Sequence, residues 1–256
     1  MDEKSAKAMR KAFLKADKAT RKLLRPILPS GEVSFADVRM AVNPRDNWTE
    51  LQLWLKGVPV EVQSLAQLLD AVENRKALVL DIGANCGAYS IPLAQAAGAG
   101  ARVLAFEPNP IMIGRLGQNI LLNSLGQTVR IETCAVGATE GEAELLLRPG
   151  NFGQGSLNPN SLAKKSGFVV PVRLLRPYLS NLNDYDLSVM KIDIEGGEDA
   201  ALGPWLDAGV KSERPDLVLM ETRHSRLWED DLLARVRAFG YESIFEGEGN
   251  TLFKRQ

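Results

Sequence analysis

Apolar positions along this 256-residue chain alternate between two rhythms from residue 62 onward. Short unbroken apolar runs that close on a glycine or an acid read as buried strands, and stretches with apolar residues three and four apart read as helices. Strands are predicted at 77–81, 102–107, 129–135, 142–147, 168–174, 187–194 and 216–221. Helices are predicted at 62–72, 110–123, 196–208 and 230–239, with a closing hairpin at 241–245 and 251–254. Strands and helices in alternation specify an α/β fold with an open, largely parallel sheet.

Three stretches break the rhythm. Residues 2–25 carry nine Lys or Arg against three acids, with Met9, Phe13, Ala16, Leu23 and Ile27 at helical intervals. They predict one basic amphipathic helix ended by Pro26 and Pro29. Its charged face reads either as solvated, with the apolar side packed on the domain or a second subunit, or as a docking element for an anionic surface. Residues 30–60 look irregular and hold Trp48 and Trp54, which suit either a lid stacking on a ligand or a small core under the extension. Residues 148–167, RPGNFGQGSLNPNSLAKKSG, predict a long connection that closes over a substrate through Asn151 and Ser156 or is mobile.

The chemistry concentrates at strand ends. Residues 77–90 read ALVLDIGANCGAYS, an apolar run closing on Asp81, then a turn with Gly83 and Gly87. Glycines let the backbone turn sharply and let a ligand approach the main chain, and the following helix start offers free N–H groups. An acid at the end of that strand repels phosphate but suits a ligand carrying an amine. S-adenosylmethionine has that pattern: an ammonium, a sulfonium, a carboxylate and a ribose diol. The next strand ends in Glu107, about 20 residues beyond the glycine turn, where a carboxylate accepts both ribose hydroxyls in dinucleotide sites. The following strand ends near Cys134 and Ala135, where the adenine borders such a sheet.

A second cluster follows at VMKIDIEGGE, residues 189–198. Asp193 and Glu195 are two apart and share a face if the strand persists, which brings two carboxylates beside the reactive end of the cofactor. The alternative is that they cap the helix that follows, a role one acid fills better than two. His224, the only histidine, lies just past the end of the 216–221 strand. Glu195 or Asp193 is the first candidate for a base and His224 the second.

Composition narrows the picture. A net charge of −1 gives no global attraction to nucleic acid, so polyanion binding needs the local N-terminal patch. Cys86 and Cys134 have no metal or disulfide spacing, which fits a reducing cytoplasm, and no apolar stretch approaches membrane-spanning length. No third ligand accompanies Asp193 and Glu195, so no metal site is expected. The expected organisation is an N-terminal basic helix and extension over residues 1–60, then a cofactor-binding domain over 61–256.

Three segments, DIGANCGAYS, AFEPNP and KIDIEGGE, resemble in order and spacing the FkbM-type S-adenosylmethionine-dependent methyltransferases. The third is the specific one. The resemblance implies a Rossmann-like, seven-stranded class I methyltransferase sheet with helices on both faces. It also implies methyl transfer to an oxygen of a sugar, glycan or other natural product. By motif position, Asp81, Gly83, Asn85 and Gly87 would hold the methionyl end, Glu107 the ribose, and Asp193 and Glu195 the acceptor side. The N-terminal helix is no part of the family pattern. Two other readings stay open: a nicotinamide-dependent oxidoreductase, though the chain lacks G-x-G-x-x-G, and a cofactor-binding docking protein without transferase activity.

Overall fold

A computed structural model describes residues 3–160 and 165–256. The chain opens with α1 (Glu3–Lys15) and α2 (Lys18–Leu24), a hairpin of β1 (Gly31–Phe35) and β2 (Val38–Val42), then α3 (Trp48–Lys56) and α4 (Val62–Val72). The alternating part begins with β3 (Ala77–Ile82), α5 (Ser90–Ala96), β4 (Arg102–Phe106), α6 (Pro110–Leu122) and β5 (Val129–Glu132). A second small sheet follows, made of β6 (Ala135–Val136), β7 (Gly141–Arg148), β8 (Asn151–Ser156) and β9 (Lys165–Arg173). The chain then returns through β10 (Leu187–Ile192), α7 (Glu198–Ala208), β11 (Leu217–Glu221), α8 (Leu232–Ala238), β12 (Tyr241–Gly247) and β13 (Asn250–Arg255).

The main sheet has seven strands in the order β12-β13-β11-β10-β3-β4-β5. All its pairings are parallel except those of β13, which runs antiparallel to both β11 and β12. The direction of strand addition reverses between β3 and β10, which puts the ligand crevice at their carboxyl ends. Every residue of β3 and β10 is buried. Helices cover both faces of a parallel sheet, so such strands read as continuous apolar runs rather than alternations. Leu68, Ile91 and Leu116 pack on one face, and Leu202, Trp205 and Val236 on the other.

The structure differs from the sequence expectations in five places. The basic helix over 2–25 is two helices, because Asp17 leaves helical geometry and accepts from the Thr20 N–H at 2.8 Å as the N-cap of α2. Phe13 of α1 is buried, but no residue of α2 is fully buried, with Leu24 packed against the core and Leu23 and Ile27 exposed to solvent.

Residues 30–60 are ordered rather than irregular. Their hairpin turns through Ala36 and Asp37, both at positive φ, so the usual glycine signal is missing. Val38, Met40, Leu53 and Trp54 join the same core as Val79 and Val103 of the main sheet. Asn119 of α6 accepts from the Ala41 N–H at 2.8 Å and Asn123 from the Arg39 N–H at 2.9 Å, which occupies backbone groups of β2.

Within residues 148–167 the expected connection contains β8 and the start of β9, in a sheet ordered β6-β9-β7-β8; residues 161–164 lie outside the described chain. The strand expected over 129–135 stops at Glu132, and Ala135 begins the second sheet. The strand expected over 187–194 stops at Ile192. Asp193 and Glu195 therefore do not share a strand face, and Glu195 adopts the left-handed conformation, φ +59°.

Candidate active site

The crevice at the ends of β3 and β10 opens into a cavity of about 800 Å³. Its floor is the turn after β3. Gly83 has φ +85°, and a Cβ there would lie 1.9 Å from the Asp193 carbonyl oxygen, so the turn needs glycine for close approach of the β10 end as well as for its backbone angle. The Gly83 and Ala84 N–H groups both donate to the Phe106 carbonyl, each at 3.0 Å, tying the turn to β4. Gly87 does not line the cavity. A Cβ there would meet Leu116 and Ile91, so this glycine lets α6 pack under the turn.

Glu107 is buried at the cavity wall. Its Oε1 accepts from the Asn109 N–H and its Oε2 from the Asn85 N–H, both at 2.8 Å. Burial pushes its carboxyl up to about 7, against the pull of those two donors. Each oxygen keeps a lone pair beyond its one backbone donor, and two adjacent hydroxyl donors match that arrangement, so the donor set fits the ribose diol of S-adenosylmethionine. Cys134 and Ala135 line the same cavity.

Asn85 sits at φ +53°, a conformation asparagine tolerates. Its side chain is committed to protein: Oδ1 accepts from Asn47 Nδ2 at 2.6 Å and from the Cys86 N–H, and Nδ2 donates to the Gly153 carbonyl at 3.0 Å. Asn109 likewise donates to the Phe152 carbonyl, the Phe152 N–H to Asp46, and the Trp48 N–H to Asn151 Oδ1. The two asparagines thus clip the start of α3 and strand β8 over the cradle. Trp48 lines the cavity at its exposed edge, whereas Trp54 is core.

Asp81 is placed otherwise than its motif position implies. It is wholly buried and is not part of the cavity wall. Lys191 stands opposite it in the parallel β3–β10 register, with Nζ 3.2 Å from Asp81 Oδ1 and donating to the Gly83 carbonyl at 2.9 Å. Ser90 Oγ donates to Asp81 Oδ2 at 2.5 Å. The charges of Asp81 and Asp193 hold the Lys191 ammonium above its ordinary range despite burial. Lys191 was missed as a functional residue, although a lone lysine in the otherwise apolar run VMKI is a visible signal that its strand neighbour carries an acid.

The end of the cavity beside β10 and β11 is crowded with carboxylates. No side chain caps α7; Glu198 in its first turn holds the loop before it, its Oε1 accepting from the N–H groups of Ile194 and Gly196 and its Oε2 from Trp228 Nε1. That leaves Asp193 and Glu195 on the cavity wall. Burial and then the charge of Asp193 push Glu195 up to about 8. Gln154 Oε1 accepts from both Arg148 and Asn151, which leaves its amide N–H₂ facing Glu195. Ser156 and Asn158 Nδ2 contact the carbonyls of residues 194–196 and hold the Glu195 turn.

Glu221, at the end of β11, is pushed up to about 11, first by burial and then by Asp193 and Glu195, which favours its protonated form. His224 Nδ1 lies 3.0 Å from Glu221 Oε2 and 3.7 Å from Glu195 Oε2, and burial lowers its basicity. His224 itself does not line the cavity. It stands behind the carboxylates of Glu195 and Glu221. Among the described residues no group of three His, Cys, Asp or Glu side chains is placed to hold a metal ion, and no helix is long and apolar enough to cross a membrane.

A family model described as the methyltransferase FkbM domain matches residues 81–243. No curated protein sequence matches the chain. Among solved structures, M. jannaschii TYW2 in complex with AdoMet aligns at 14% identity over 89% of this chain and 87% of its own, with a TM-score of 0.44. The precorrin-6y C5,15-methyltransferase of Geobacter metallireducens aligns at 13% over 76% and 89%, TM-score 0.43. The O-methyltransferase of Bacillus cereus in complex with SAH aligns at 12% over 75% and 79%, TM-score 0.40. Similarity this remote carries no argument about what the chain does.

Proposed function

The chain belongs to the FkbM methyltransferase family and uses S-adenosylmethionine, and from that premise we propose that it methylates a hydroxyl oxygen on a sugar, glycan or other small natural product. One observation carries the reading. A single cavity joins the buried Glu107, suited to a diol, with Glu195, a carboxylate raised to about 8 at the acceptor end. A group of that basicity is matched to taking a proton from a hydroxyl near neutral pH.

S-adenosylmethionine, when bound, supplies an electrophilic methyl group. Glu107 orients it through the ribose hydroxyls, and the Gly83 turn keeps the main chain low enough for close approach. Glu195 accepts the acceptor's proton as its oxygen becomes nucleophilic, with Gln154 fixing the carboxylate. Asp193 and the protonated Glu221 share a hydrogen bond beside it. That proton spares the site one negative charge. His224 positions Glu221 and Glu195 from behind. Residues 151–153 and Trp48 narrow the access of water, and much of the rate enhancement comes from the resulting alignment.

Labelled S-adenosylmethionine incubated with cell extract fractionated into small molecules, glycans, lipids, RNA and protein tests this. Label bonded to oxygen in the small-molecule or glycan fraction is the expected result. Label on nitrogen or carbon, or only in RNA or protein, contradicts it.

A further inference from the structure

The Lys191–Asp81 pair leaves one part of the cradle without its expected anion. S-adenosylmethionine carries an ammonium at its methionyl end, and the acid at the end of β3 is spent on an internal lysine and a serine, out of reach of the cavity. Asp193 also faces the cavity, but it lies 3.9 Å from Lys191 Nζ and shares a hydrogen bond with Glu221. A different carboxylate stands at the same end of the cavity.

Glu61 precedes α4 at the N-cap position, yet its side chain makes no capping hydrogen bond to the helix. It turns instead to the glycine turn, where Oε2 accepts from the Tyr89 hydroxyl at 3.0 Å, and it lines the cavity. Among the described residues Tyr89 is its hydrogen-bond donor, and that contact uses one oxygen. An acid that forgoes its own helix and half-buries itself beside Asp193 bears an electrostatic cost; Lys191 and Arg223 offset part of it without an ion pair to Glu61 among the described residues, and a cation in the cavity relieves the rest. Burial and the charge of Asp193 do raise its carboxyl above the ordinary range. Glu61 lies outside the family-matched segment, in the N-terminal part of the chain.

We propose that Glu61, oriented by Tyr89, receives the ammonium of the methionyl end of the cofactor, in place of Asp81. This rests on the reading of the cavity as an S-adenosylmethionine site. It gives residues before the family domain a direct part in cofactor binding.

The test is calorimetric, on the full chain, with two ligands: S-adenosylhomocysteine, which has the ammonium, and 5′-methylthioadenosine, which lacks the whole amino-acid end. Glu61→Gln keeps an acceptor for Tyr89 and removes only the charge. The expected result is a loss of roughly 10-fold to 100-fold in S-adenosylhomocysteine affinity, the weight of one charge-assisted hydrogen bond, with methylthioadenosine affinity unchanged. Tyr89→Phe shifts affinity in the same selective direction by less. Unchanged binding of both ligands by Glu61→Gln overturns the proposal, as does equal weakening of both, which marks a damaged cradle. Failure of the unsubstituted chain to bind either ligand overturns the cofactor reading itself, a separate outcome.

Discussion

Two carboxylates at the ends of neighbouring strands meet opposite fates. Asp81 closes β3 and Glu195 follows β10, and both belong to the segments that identify the family. Asp81 is matched by Lys191 across the register, is wholly buried, and contributes to the sheet rather than to the cavity. Glu195 lies three residues past the strand end, in a left-handed turn, with Asp193 rather than a cation as the largest charge acting on it. The buried ammonium of Lys191 decides between them. An acid that has it is neutralised and structural. An acid that lacks it rises in pKa, stays open to ligand and becomes available as a base.

Removing the cation breaks this comparison most severely. Lys191→Met leaves Asp81 buried with Ser90 as a donor but with no cation, and a loss of about 3–5 kcal/mol of stability is expected from chemical denaturation. Adding Asp81→Asn to Lys191→Met recovers most of that loss, because the penalty is the orphaned charge. A double variant no more stable than Lys191→Met alone shows that Lys191 acts through packing instead.

Glu107 sharpens the comparison from the cofactor side, as a buried acid with no cation and two backbone donors. Glu107→Ala is expected to weaken S-adenosylmethionine binding by roughly 1–3 kcal/mol in calorimetry. Unchanged affinity removes it from the site.

The remaining effect is on pH dependence. Glu107, Glu195 and Glu221 are held at about 7, about 8 and about 11 against an ordinary 4.5. The folded chain then binds more protons than the unfolded chain above the ordinary carboxylate range, so their stabilising contribution is full below it and is lost as pH rises through the folded values. The ligand-free protein should melt at a lower temperature near about pH 8.5 than near about pH 5.5. A flat or opposite profile contradicts the raised values.

Much of the frame was legible because β3, β10 and β11 are buried on both faces and betray themselves as apolar runs. Helix α4 was read with its observed bounds, since amphipathic spacing over 62–72 is unbroken. The hairpin of β1 and β2 was not legible, because Ala36 and Asp37 turn it without glycine. Strand β8 was hidden because NFGQGS has no β-branched residue and two glycines, with Phe152 its one typical strand residue, and is held by pairing to β7 and by the asparagine clips. In the site, Glu107, Asp193 and Glu195, picked out by spacing, all line the cavity. Spacing did not reveal that Lys191 stands beside Asp81, a fact of register between strands more than a hundred residues apart.

The central claim is that Glu195 takes the proton of a hydroxyl acceptor. Single-turnover transfer of labelled methyl into the acceptor fraction, with saturating S-adenosylmethionine over a range of about pH 6 to 10, tests it most directly. The account predicts a rate that rises with pH and levels above about 8 in the unsubstituted enzyme. In Glu195→Gln the rate should be roughly 10²–10⁴ lower, with that rise gone. A Glu195→Gln enzyme that keeps both the rate and the pH profile contradicts it.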